Sequence, residues 1–263
     1  MSITDRPLVR TGPGSSPHAM PTVGIVIPCF NEAQRLPVAT IRDDLVQNPH
    51  LTLCFVDDGS TDGTLALLTS LSASTKGRCR TLALQTNQGK AEAVRRGVLE
   101  LCSLAEFEYI GFWDADMPTP LSELRLFLQA FREYPECRFV AGSRIRRLGA
   151  TIHRKLWRHF LGRIAATLIS GWLRLPVYDT QCGAKLFEPT LAKTLFEKPF
   201  ISRWLFDVEL FQRCVDCVGQ ENASAVIIEL PLTFWAERAG SKINLATYVS
   251  ASLDFVRIAA TRA

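Results

Sequence analysis

Two apolar runs that break directly into paired carboxylates constrain this chain more than any other feature. Residues 51–56 form a short apolar run of the buried-strand type. Asp57-Asp58-Gly59-Ser60-Thr61-Asp62-Gly63-Thr64 follows at once, and Leu65-Ala66-Leu67-Leu68 then opens a helix. Residues 109–113 repeat the arrangement and end in Asp114-Ala115-Asp116. Strand, acidic turn, helix is how an open α/β sheet builds a ligand crevice at the carboxyl ends of its strands. Two such ends point to a site for a nucleotide and a divalent metal.

The surrounding pattern extends this frame. Strands are expected at 23–29, 51–56, 80–85, 109–113 and 139–143, with helices at about 35–48, 61–72, 91–103 and 122–132. Thr119 or Ser122 is the expected N-cap of the last of these. Alternating strands and helices predict an α/β fold of Rossmann-like kind, a mostly parallel sheet flanked by helices. After residue 143 the pattern changes to amphipathic helices within 153–175, a loop and short strand at 179–187, a helix at 205–218, a strand at 225–230 and a final helix at 245–260. A flexible tail over 1–20, a domain over 21–245 and a C-terminal helix over 246–263 are the expected divisions.

A formal net charge of +4 over 263 residues is too small to imply a nucleic-acid partner. Its distribution says more. No Asp or Glu lies between Cys137 and Tyr178, where Arg138, Arg144, Arg146, Arg147, Arg154, Lys155, Arg158, Arg163 and Arg174 all fall. Basic residues beside Trp157, Phe160 and Trp172 suit an anionic membrane surface, although a plain pair of packed helices has the same pattern. With no signal-peptide core in the first 20 residues and no apolar run of spanning length, the expected placement is cytoplasmic, peripheral on the cytoplasmic face of a membrane. The eight cysteines form no disulfide framework, and Cys214-x-x-Cys217 has no second pair to complete a zinc set.

The chemistry concentrates at the strand ends. Asp114 and Asp116, separated by one residue, can both face a hard cation such as Mg2+ or Mn2+, although a solvated acidic turn has the same spacing. Asp57 and Asp58 suit hydrogen bonds from a base N–H or a ribose hydroxyl. Pro28 ends the first strand, and Asn31 and Glu32 could line the same pocket, with helix capping the alternative for Glu32. Lys90 follows a turn and opens a helix, a position suited to phosphate.

These blocks, in order, are similar to the signatures of the family 2 inverting glycosyltransferases, whose fold is GT-A: Pro28-Cys29-Phe30-Asn31-Glu32, the Asp57–Thr64 turn, Asn87-x-Gly89-Lys90 and Asp114-Ala115-Asp116. Gly142-Ser143-Arg144, Asp179-Thr180-Gln181-Cys182-Gly183-Ala184-Lys185-Leu186-Phe187, Arg203-Trp204-Leu205-Phe206-Asp207-Val208-Glu209-Leu210 and Gly240-Ser241-Lys242 resemble the dolichyl-phosphate sugar synthases, particularly the β-glucosyltransferase branch. The resemblance covers about residues 22–245.

It implies that Asp57 and its neighbours hold the nucleotide base, and that Asp114 and Asp116 hold metal and diphosphate. Arg144, Lys185 and Lys242 become cationic partners of donor or acceptor phosphate, and Asp207 a carboxylate near the acceptor. Pro118 stands where relatives making dolichyl-phosphate mannose often have Gln, a departure at that third ligand position. The expected reaction moves a hexose, glucose from UDP-glucose by preference, from a nucleotide sugar to a polyprenyl phosphate. An acceptor already anionic needs cationic positioning rather than a strong base. A hydroxyl acceptor would need a base, with Asp207 the candidate. A non-catalytic nucleotide-sugar-binding subunit is the remaining alternative, and no protein partner is specified by the sequence.

Overall fold

The computed structural model describes residues 20–153, 166–236 and 254–260. The elements run β1 (Val23–Cys29), α1 (Val38–Gln47), β2 (Leu51–Asp57), α2 (Thr64–Ser74), β3 (Cys79–Ala83), α3 (Lys90–Leu104), β4 (Tyr109–Trp113), α4 (Leu124–Glu133), β5 (Phe139–Ser143) and β6 (Thr151–His153). There follow α5, described over 166–173, then β7 (Ala184–Phe187), α6 (Pro189–Phe196), α7 (Phe206–Val218), α8 (Ala223–Val226), β8 (Ile227–Pro231), β9 (Phe234–Ala236) and α9 over 254–260.

Seven strands form one sheet in the order β3-β2-β1-β4-β7-β5-β8, and β6 and β9 pair separately. The β1–β2, β1–β4, β2–β3 and β5–β8 pairs are parallel. β7 is antiparallel to both of its neighbours, pairing Phe112 with Lys185 on one side and Ala141 with Lys185 on the other. The wholly parallel alternation of the first half therefore does not carry through. β7 follows the excursion after Ser143 and enters the sheet from the opposite end.

Side chains alternate across the strands, so each strand feeds two apolar layers. Val26, Cys54 and Val56 join α3, α6 and α7 on one face. Ile25, Ile27, Leu53 and Phe55 join α1, α2 and α4 on the other. On α3, Ala91, Val94, Val98 and Leu101 are buried at helical spacing. Each large side chain so buried contributes roughly 1.5–3 kcal/mol.

Three differences from the sequence expectations have local causes. α1 begins at Val38 rather than Arg35, because Pro37 disfavours helical backbone before it. The N–H groups of Arg35 and Leu36 instead both bond the Glu32 carbonyl in a turn. Neither Thr119 nor Ser122 caps α4; a 3-10 turn over Leu121–Glu123 leads in, and neither start has a side-chain cap. α6 was not expected, yet Glu188 caps it by accepting from the Thr190 and Leu191 N–H groups, with Pro189 at its first position. Among the described residues no helix is long and apolar enough to cross a membrane. Of the segment read as membrane-facing, 154–165 lies outside the described residues. Leu168 is exposed, whereas Ile169 and Leu173 enter the core and Trp172 packs edge-on against Phe255 at 5.2 Å.

Candidate active site

The carboxyl ends of β1, β2, β3 and β4 gather the residues read from the first half of the sequence. Asp57 and Asp58 are both buried where β2 ends. Asp58 accepts the backbone N–H groups of Gln88 (2.7 Å) and Gly89 (2.8 Å), so it holds the turn between β3 and α3. Burial pushes its pKa up, against those two N–H bonds, which pull it down. Gly59 has φ +67°, and a Cβ there would meet the backbone of Thr86 and Asn87, so only glycine lets the two loops touch. Arg203 grips the same turn from the other side, bonding the carbonyls of Gln88 (2.9 Å) and Asn87 (3.2 Å) and the Asn87 Oδ1 (2.8 Å).

Asp57 Oδ2 accepts the Ser60 N–H at 3.3 Å, while its Oδ1 is buried with no hydrogen-bond partner among the described residues. Asn31, at φ 53°, donates its N–H to Ser60 Oγ and accepts the Thr61 N–H on Oδ1, tying the β1 loop to the β2 turn. Pro28 lies within β1, opposite Val56.

The acidic pair meets two cations. Lys90 Nζ lies 2.5 Å from Asp114 Oδ1, and Arg35 Nη2 lies 3.1 Å from Asp116 Oδ2. Arg35 Nη1 also reaches Glu32 Oε1 at 3.2 Å. Burial works against the Lys90 charge, but Asp114, Asp207 and Asp116 together hold its pKa above the ordinary range. Burial and the neighbouring Asp114 raise the pKa of Asp116, with Arg35 and Lys90 opposing. The Asp114 N–H donates to the Gly183 carbonyl at 3.0 Å, and a Cβ on Gly183 would run into the Asp114 carboxylate. The β7 approach thus fits this carboxylate only as glycine.

The second-half residues lie across β7 and β5. Arg144, directly after β5, makes a bidentate pair with Asp179, Nε to Oδ2 at 2.6 Å and Nη2 to Oδ1 at 2.8 Å. Its guanidinium stands 5.4 Å from the Trp235 ring centre. Burial opposes its charge, and Asp179 more than restores it, raising the pKa. Glu229 of β8 accepts the N–H groups of Tyr178 (2.8 Å) and Asp179 (2.6 Å) and so fixes the loop that presents Asp179. Lys185 is fully buried, its Nζ 2.6 Å from Asp207 Oδ1 and 2.6 Å from the Cys182 carbonyl. Lys242 lies outside the described residues. Sequence reading did not single out Arg35, Glu229 or Asp179 as contributors. The basic residue just before Leu36-Pro37 was the available signal for Arg35.

The donor set suits a hard divalent cation. Among the described residues no group of three or more His, Cys, Asp or Glu could hold a metal. Asp114 and Asp116 therefore offer two carboxylates, and Mg2+ or Mn2+ usually completes its shell with waters and phosphate oxygens. Gly183 puts no side chain of its own against the Asp114 carboxylate, which fits that use.

A mostly parallel sheet whose β2 and β4 end in acidic turns is the architecture of the GT-A class. The chain belongs to glycosyl transferase family 2, whose family model matches residues 24–196. It is similar to a dolichyl-phosphate beta-glucosyltransferase of Trichomonas vaginalis, 31% identical over 89% of this chain and 69% of that protein. The Drosophila melanogaster protein of that name is 31% identical over 84% of this chain and 69% of its own length. The Dictyostelium discoideum one is 29% identical over 90% of this chain and 73% of its own. Among solved structures, glucosyl-3-phosphoglycerate synthase of Mycobacterium tuberculosis, in complex with Mn2+, UDP and glucosyl-3-phosphoglycerate, shares the fold. Its TM-score is 0.65 at 18% identity, covering 92% of this chain and 80% of that one. The resemblance read from the motifs, the fold class and the enzyme class are thereby borne out.

Proposed function

We propose that this chain transfers glucose from UDP-glucose to a polyprenyl phosphate at a membrane surface, with inversion at the anomeric carbon. The observation that carries this reading is similarity to dolichyl-phosphate beta-glucosyltransferases through 84–90% of the chain, well past the family core.

Each residue then has a task. The buried Asp57 Oδ1, without a hydrogen-bond partner among the described residues, accepts from the base. Asp58, Gly59 and Arg203 fix the turn that delivers Lys90 at the start of α3, where an ammonium and free helix N–H groups suit the diphosphate. Asp114 and Asp116 would hold Mg2+ or Mn2+, which when bound neutralises charge on the leaving diphosphate. Arg144, kept in place by Asp179 and the Trp235 face, positions the acceptor phosphate, with Lys242 as a second cation. Two anions must meet, so cationic positioning is the main requirement.

Asp207 favours the phosphate acceptor over a hydroxyl. Its carboxylate is engaged by Lys185 Nζ in the interior, a poor arrangement for a general base that must reach an acceptor proton. Lys185 in this reading organises Asp207 and the Cys182 carbonyl rather than touching phosphate.

The test is transfer from radiolabelled UDP-glucose, with polyprenyl phosphate and the corresponding polyprenol offered side by side in detergent. Labelled lipid from the phosphate alone is expected. Equal labelling of the alcohol would overturn the acceptor assignment.

A further inference from the structure

The C-terminal helix α9 reaches the turn that opens α3 through two neighbouring residues of the loop before α7. Asp254, at the start of the described part of α9, has Oδ2 2.7 Å from Ser202 Oγ, 52 residues away in sequence. Ser202 is buried, and its hydroxyl oxygen accepts the N–H groups of Leu205 (2.7 Å) and Trp204 (3.1 Å). Arg203 stands between Ser202 and Trp204, and its side chain bonds the Asn87 and Gln88 carbonyls and the Asn87 Oδ1. We infer that Asp254, acting through Ser202 and Arg203, is a positioning residue for the nucleotide donor. This rests on the reading of that turn, with Lys90, as the diphosphate end of the donor site.

A serine hydroxyl has one proton and two lone pairs. Here the proton goes to Asp254 and the lone pairs to the two amides, so all three hydrogen-bonding positions are used. A hydrogen bond to a carboxylate is stronger than a neutral one, and it polarises the oxygen that accepts the amides. Without the carboxylate the hydroxyl can turn, and the backbone on either side of Arg203 loses a fixed acceptor. The Arg203 side chain has little slack to absorb such a change. A Cβ on Gly89 would lie 2.6 Å from Arg203 Nε, so the arginine lies directly against the residue before Lys90. Asp58 holds the turn by its amides and Arg203 holds it by its carbonyls, from opposite sides.

α9 has its own anchors on the fold. Ile258 is fully buried in the core, and Phe255 packs edge-on against Trp172 at 5.2 Å. Asp254 also pairs with Arg257 at 3.2 Å within the helix, and Glu209 separately accepts the Ile201 N–H at 2.9 Å. The family match ends at residue 196, so the Asp254–Ser202–Arg203 link lies beyond the shared core. A structural role alone predicts lost stability with unchanged donor affinity. A positioning role predicts weakened donor affinity with little change in kcat or in KM for the acceptor.

The experiment is calorimetric titration of the full chain with UDP in Mn2+, paired with steady-state kinetics. Asp254→Ala should raise the UDP dissociation constant and the KM for UDP-glucose by about three- to tenfold, the net worth of one hydrogen bond, with kcat and acceptor KM within about twofold. Asp254→Asn, which keeps an acceptor oxygen for Ser202, should recover most of the loss. Arg257→Gln, which cuts only the pair within α9, should bind UDP as wild type does. In an Arg203→Gln background Asp254→Ala should weaken UDP binding no further, because the link is already cut. Ser202→Ala reads the same link from its other end should Asp254→Ala fail to fold. Unchanged UDP affinity in Asp254→Ala or Ser202→Ala, or a full further loss in the Arg203→Gln background, overturns the inference and leaves the proposed function standing. Wild type that binds no UDP overturns the donor reading, and this inference with it.

Discussion

Lys185 and Asp207 form a 2.6 Å ion pair in which the lysine side chain has no exposed surface and the aspartate only 5%. The pair ties the middle of β7 to the first turn of α7, where a carboxylate also meets the positive end of the helix dipole. Removing one partner leaves a buried charge without its counter-ion. Asp207→Asn or Lys185→Met should each cost about 3–5 kcal/mol, and the double change Lys185→Met with Asp207→Leu should recover much of that. Urea denaturation of the three variants measures it; equal losses in single and double variants would contradict the pairing energetics.

Gly183 lies against the Asp114 carboxylate with no room for a Cβ. Gly183→Ala should therefore displace that carboxylate and weaken Mn2+-dependent UDP binding by about 10–100-fold, the range seen when groups supporting a ligand are disturbed. Calorimetric titration with UDP, in Mn2+ and in EDTA, separates this from general damage, because metal-independent binding should change little.

Asp116→Ala should abolish most transfer, since leaving-group stabilisation by a metal is worth several kcal/mol. EDTA should do the same to wild type, and added Mn2+ or Mg2+ should restore it. Undiminished transfer in EDTA would dismiss the metal.

Arg203 holds three oxygens of the turn that presents Lys90. Arg203→Gln should raise KM for UDP-glucose several-fold with a smaller change in kcat, since the turn's position rather than the reacting atoms is disturbed. Steady-state kinetics with saturating acceptor reads the split, and faster hydrogen exchange at Gln88 and Gly89 would mark the loosened turn.

Glu188 caps α6 and pairs with Arg138 at 2.7 Å. Burial opposes its ionisation, but the Thr190 hydroxyl, Arg138 and two backbone N–H groups bring its pKa down from 4.5 to about 2. A depressed carboxylate pKa gives stability that is present above the unfolded value of 4.5 and drains away as pH falls towards about 2. Glu188→Ala should cost about 1 kcal/mol at pH 7, a figure set by the cap and kept low because the pair is partly exposed. That difference should shrink below pH 4.5 in denaturation curves taken at successive pH values.

The first half of the fold was legible because most of its strands are largely apolar runs and its turns carry their chemistry in consecutive residues. β1, β4 and β5 begin and end where the runs do. What could not be read was the pairing of charges across long separations. Asp58 stands in a motif suggestive of ligand contact, yet both of its oxygens hold the Gln88 and Gly89 amides. Lys185 is flanked by Ala184 and Leu186, and period-two alternation turns it to the opposite face, under α7, where Phe112 and Asp207 receive it. Arg35 was counted into a helix, and the turn before Pro37 that frees its side chain depends on two N–H bonds to the Glu32 carbonyl. The antiparallel entry of β7 likewise follows from where the chain returns after residue 143, which no local pattern encodes.

That entry has a bearing on biosynthesis. When β4 leaves the ribosome its Tyr-Ile-Gly-Phe-Trp strand has β1 on one side and nothing on the other, because β7, its second partner, is made some seventy residues later. An apolar strand with an unpaired edge is a template for the wrong chain. Throughout that interval the nascent protein carries this apolar strand uncovered, and synthesis slowed before β7 has emerged from the ribosome should raise aggregation of the nascent chain, whereas a pause after β7 has emerged should raise it less.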